Sequence, residues 1–119
     1  MKWFHKGYEM TLNRIKDTVR VRENDETLIL NVNVDPMRIV SGLNKAQEKL
    51  VAVSKDGEPD KESLQDVAEF FAGVIFGTEQ AGKLMDFYDY DAESVVNVCG
   101  RYFRERLAKK ITQAQKKHG

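Results

Sequence analysis

Val19 and Val21 alternate with Thr18, Arg20 and Arg22, and further on Leu28, Leu30, Val32 and Val34 alternate with Ile29, Asn31 and Asn33. Apolar spacing of two with β-branched side chains predicts two strands. The polar run Glu23-Asn24-Asp25-Glu26 between them is a four-residue connection of hairpin length, so a hairpin is expected over about residues 18–34. Its second strand carries one Leu/Val face and one face rich in Asn, so one side must meet a core. Two strands are marginal alone in water, so helices must cover that face or a partner must add strands.

From Asp35-Pro36 onward the period changes. Asp accepts backbone N–H bonds at a helix start and Pro suits the first turn. Met37, Val40, Leu43, Ala46, Leu50 and Val53 follow at steps of three and four, predicting a helix over about residues 36–53 with that stripe inward. Ser54 to Asp60 reads as a loop by composition. A second helix is expected over about 61–76, with Leu64, Val67, Ala68, Phe71 and Ile75 buried, Phe70 and Val74 widening the stripe, and Gly77 ending it. Thr78 is expected to cap a short helix over about 78–86, with Leu84 and Phe87 buried. Asp91 is expected to cap a last helix over about 92–116, with Val95, Val96, Cys99, Phe103, Leu107 and Ile111 inward and Tyr102 beside them. The fold class is therefore α+β and mostly helical: an N-terminal β-hairpin followed by three to four α-helices.

Composition adds limits. With 119 residues, 41% hydrophobic and 32% charged, the chain suits one globular domain and neither a disordered polyelectrolyte nor a fibre. That domain is expected over residues 10–119. Residues 1–9 hold Trp3, Phe4 and Tyr8 without a period, and read either as an extension upstream of a start at Met10 or as a packing arm. The longest uncharged apolar-rich run, Phe70 to Thr78, is far short of the ~20 residues that cross a bilayer. No signal-peptide pattern and a single thiol point to the cytosol. The net charge of zero hides segregation: residues 1–55 sum to +3, residues 56–100 to −9 and residues 101–119 to +6.

Candidate chemistry is sparse. His5 and His118 stand at opposite ends of the chain. Cys99 lies on the apolar stripe and reads as a small core residue, where an activated thiol would need a base and exposure. The carboxylates Asp86, Asp89, Asp91 and Glu93 lack the spacing of a calcium loop, and Gly73, Gly77 and Gly82 lack that of a phosphate loop. No catalytic residue, metal ligand or cofactor site is expected. Seven cations in the last nineteen residues are the feature that bears on nucleic acid, but they surround the predicted helix, and the acidic centre would repel a polyanion.

The segment Glu69-Phe-Phe-Ala-Gly-Val-Ile-Phe-Gly-Thr-Glu-Gln-Ala81 resembles the acidic, hydrophobic, Phe-Gly-x-Glu/Lys centre of the small tail assembly chaperones of long-tailed (siphovirus-type) phages and prophages. The Leu84 to Asp91 run and the long basic last helix are similar too, so the resemblance covers about residues 10–117. It implies a non-enzymatic protein of the bacterial host cytoplasm that binds the phage tape measure protein, recruits the major tail protein of the tube, and is absent from the finished tail. A tape measure protein is a long helix with apolar stripes, which an apolar groove with a charged rim would shield. Candidate contacts are Phe70, Val74, Phe76, Phe87, Tyr88 and Tyr90, with Arg101, Arg104 and Lys109 as electrostatic ones. The acidic middle and basic end suggest head-to-tail self-association. The alternative function is a small nucleic-acid-binding or regulatory module using the basic C-terminal helix.

Overall fold

The computed structural model describes residues 14–55 and 57–118. The expected arm at residues 1–9, His5 included, lies outside the described residues. Strands β1 (Ile15–Glu23) and β2 (Glu26–Val34) form an antiparallel hairpin. Helices α1 (Pro36–Ser54), α2 (Lys61–Phe76), α3 (Thr78–Phe87) and α4 (Ala92–Tyr102) follow, then a π-helical turn at Phe103–Leu107 and α5 (Ala108–His118). The fold is α+β and mostly helical, as the hydrophobic pattern predicts.

The hairpin is longer and its turn tighter than expected. Glu23 pairs with Glu26, so Asn24-Asp25 alone makes the turn, with Asn24 at φ 55°. Asn tolerates that left-handed conformation better than most residues. The ladder continues back to Ile15, paired with Val34. Asp17 interrupts the apolar alternation at an inward position, which is why the pattern shows a strand only from Thr18. Ile15, Val21, Leu30, Val32 and Val34 are buried, while Ile29, Asn31 and Asn33 face out.

Helix α1 starts where Asp35-Pro36 predicts, with Asp35 Oδ1 accepting from the Met37 N–H at 3.0 Å. Its stripe needs correction. Met37 is 75% exposed and Val40 and Leu50 are nearly half exposed, whereas Ile39, outside the predicted stripe, is buried. At 3.6 residues per turn, each three-residue step falls about 60° short of a full turn, so Met37 ends about 180° around the helix from Ala46. The face that packs is Ile39, Leu43 and Ala46, with Gly42 set against Val74 of α2. A Cβ on Gly42 would stand 2.7 Å from a Val74 methyl, so the two helices approach closely there.

Helix α2 opens at Asp60, whose carboxylate accepts from the Ser63 N–H at 2.7 Å; this bond holds the Asp60 carboxyl below its ordinary pKa. It ends at Gly77, whose φ of 93° lets the chain turn and whose N–H reaches the Gly73 carbonyl at 2.9 Å. Gly77 is also the residue preceding α3, so Thr78 lies inside the first turn and is not the expected cap. The α3–α4 turn uses Asp89 at φ 51° and Tyr90 at φ 61°. Asp91 occupies the expected N-cap position of α4, but its carboxylate takes the Ser94 hydroxyl at 2.6 Å.

The single last helix predicted over 92–116 is divided. A stripe of four-residue steps (Val95, Cys99, Phe103, Leu107, Ile111) advances about 40° per step and would wind off the core. The π turn absorbs one extra residue and rotates Leu107 and Ile111 back onto the face of Val95, Cys99 and Tyr102, all of them buried. One hydrophobic core joins both halves of the fold, with Leu30 of β2, Ile75 of α2, Leu84 of α3, Val95 and Cys99 of α4, and Leu107 essentially inaccessible. Each large side chain so buried contributes roughly 1.5–3 kcal/mol. Polar ties lock the hairpin to the helices. The Tyr102 hydroxyl donates to Asp17 Oδ2 at 2.9 Å and Arg106 Nη2 to Asp17 Oδ1 at 3.0 Å. On the other strand, the Gln80 carboxamide bonds both the N–H and the C=O of Asn31.

Candidate functional site

Helices α1 and α4 each pack on α2, leaving a gap between them over the α2 surface. Leu64, Val67 and Phe71 of α2 make its floor. Leu43, Ala46 and Leu50 of α1 form one wall, and Ala92 and Val96 of α4 the other. Gln47, Glu93 and Asn97 supply a polar rim, and the groove holds about 640 Å³. That volume falls within the ~300–1,000 Å³ of ordinary ligand sites. The gap follows from the sequence of α1: Gly42 brings one side of the helix hard against Val74, and Lys49 sets its ammonium 5.0 Å from the Phe70 ring centre on that same interface. The adjoining side, about 80–100° further round the helix with Leu43 and Leu50, is left over the groove.

The candidate contacts named from the sequence fall elsewhere. Phe70 and Val74, both half-buried, line a shallower depression of about 460 Å³ between α2 and α3, next to Asp66, Glu69 and Thr78. Phe76 is buried at 2% exposure, its ring stacked on Tyr102 at 5.5 Å, so it is a core residue and not an exposed contact. It is the last residue of α2, directly before Gly77. Phe87 and Tyr88 are half-buried and meet edge to face at 5.2 Å. Burial first, then the nearby Glu23 carboxylate, raises the Tyr88 pKa. Tyr90 is 48% exposed, and Asp86 beside it raises its phenol pKa. Arg101, Arg104 and Lys109 are exposed, with Arg101 paired to Glu105 at 3.1 Å. With Arg106 on Asp17, two of the basic tail residues are engaged within the chain.

Leu43, Ala46, Leu50, Leu64, Val67, Phe71 and Val96 of the groove all lie on stripes that the sequence predicts to be buried, because hydrophobic spacing marks a face without saying what covers it. The signal that could have exposed the groove is polar interruption: Gln47 beside Ala46 and Asn97 beside Val96. Cys99 sits at 0% exposure, and burial pushes its thiol up to about 12, so it is protonated at neutral pH. Among the described residues, no three His, Cys, Asp or Glu side chains converge on a common point, and no helix is long and apolar enough to cross a membrane. Comparison of the chain with protein-family models, curated proteins and solved structures gives no match.

Proposed function

We propose that the protein is a phage or prophage tail assembly chaperone, non-enzymatic, working in the cytoplasm of the bacterial host. It holds the apolar stripe of the helical tape measure protein and brings the major tail protein to it. The observation that carries this is the apolar groove between α1 and α4, floored by α2 and open to solvent along a polar rim. A helix laid there would bury side chains at i, i+3, i+4 and i+7 against Leu43, Leu50, Phe71 and Val96, which is helix-in-groove recognition. The resemblance of Glu69 to Ala81 to the centre of such chaperones supports the same assignment.

The test is co-expression with a tape measure protein followed by affinity capture. The expected result is that the partner stays in the supernatant and co-purifies, and that Leu50→Glu abolishes both. Retention of the partner by Leu50→Glu at wild-type level, or no association of the wild-type chain with either tail component, overturns the proposal.

A further inference from the structure

A two-stranded sheet has two outer edges, and in this hairpin they differ. Asn31 gives its N–H and its C=O to the Gln80 carboxamide of α3, so its backbone points away from β1. Thr18, its partner in the register, therefore forms a non-hydrogen-bonded pair with it. Antiparallel pairs alternate, so Lys16, Thr18, Arg20 and Arg22 all turn their N–H and C=O groups to the outer edge of β1. The β2 edge is covered by Gln80 at Asn31 and by Arg14 Nη2 on the Asn33 carbonyl at 2.8 Å. On the β1 edge, the Thr18 N–H reaches the Asp17 carboxylate at 2.9 Å. The backbone groups of Lys16, Arg20 and Arg22 have no partner among the described residues.

The side chains of this edge select what can join it. Lys16, Thr18, Arg20 and Arg22 are exposed, three cations on one face of one strand. A second copy of β1 laid antiparallel about Val19 would set Lys16 against Arg22, and like charges directly opposed destabilise a pair. Charged edges guard against self-pairing in this way, while leaving the backbone groups available to a strand of opposite charge. We propose that the outer edge of β1 is a strand-addition site for an extended acidic segment of a partner protein. Its Glu or Asp residues at alternate positions face Lys16, Arg20 and Arg22 while its backbone extends the sheet to three strands. The site is separate from the groove and does not depend on it.

The test uses the full chain labelled with ¹⁵N and three blocked peptides: Glu-Val-Glu-Val-Glu-Val-Glu, the same with Lys for Glu, and the acidic one with N-methyl groups on its Glu backbone nitrogens. On an antiparallel added strand, the Glu residues opposite Lys16, Arg20 and Arg22 are the ones whose N–H groups pair, so methylating their backbone nitrogens keeps the charge and removes those donors. With the first peptide, amide exchange at Lys16, Arg20 and Arg22 should slow roughly tenfold near saturation, and the other two peptides should leave it unchanged. Arg20→Glu should lose the effect while keeping the wild-type spectrum at Gln80 and Asn31. Three results each overturn the proposal: equal binding by the N-methylated peptide with no slowing; slow exchange already present in dilute peptide-free protein; or slowing that grows with protein concentration alone, which indicates self-pairing.

Discussion

Where β1 meets the last helix, a half-buried carboxylate is fully engaged: Asp17 accepts from Tyr102, Arg106 and the Thr18 N–H, with Leu107 buried in the same core. Where α1 meets α4, apolar side chains line a gap and Gln47, Glu93 and Asn97 only edge it. The first junction is directional, so it locks one geometry; the Tyr102–Asp17 bond beside buried apolar groups is costly to disturb. The second is apolar and unfilled, so it accepts side chains from outside at little cost to the fold. Close packing at one junction and vacancy at the other separates what holds this chain together from what is available for binding.

Substitutions can break or sharpen that contrast. The largest effect is expected from Leu107→Ala, which leaves a cavity behind the π turn and should cost about 2–5 kcal/mol, read as a fall in the urea midpoint at constant slope. Asp17→Ala strands the Tyr102 hydroxyl, while the exposed Arg106 turns to water, and should cost about 1–3 kcal/mol by the same measurement. Gly42→Ala tests the contact that sets the groove open. The new methyl meets Val74 at 2.7 and 2.8 Å, and overpacking of about 1–3 kcal/mol should outweigh the ~1 kcal/mol that Ala gains over Gly in a helix. Adding Val74→Ala should recover part of the loss, and additivity of the two changes would contradict the contact.

Leu50→Glu, on the groove wall, should move stability by no more than about 0.5 kcal/mol while removing partner binding. The smallest effect concerns alkaline pH. Burial first, then the hydrogen bond to Asp17, raises the Tyr102 pKa above its ordinary value near 10. A group raised on folding stabilises the protein below its unfolded pKa, and that contribution fades as pH climbs toward the folded value. Between about pH 8 and pH 11, wild type should therefore lose more stability than Tyr102→Phe; parallel pH profiles would sink the assignment. Cys99, also raised, acts in the same sense in both proteins and cancels in the comparison.

How much of this was legible beforehand depends on the range over which each feature is decided. Asp35-Pro36 and Gly77 mark helix ends because capping is local chemistry within a few residues, and the alternation from Thr18 to Val34 marks strands because side chains on a strand have period two. The chain alone thus determined a hairpin, four helical segments, and a buried Cys99. Tertiary contacts decided the rest. Three-residue spacing in α1 is compatible with several rotations, and only Val74 against Gly42 selects one. The π turn exists because Leu107 and Ile111 must reach a core set by other elements. The hydrogen bonds that close one sheet edge and lock the hairpin join residues 49 and 89 positions apart, Asn31 to Gln80 and Asp17 to Arg106. No local pattern encodes such a pairing, and neither the groove nor the open edge exists until the backbone is folded around it.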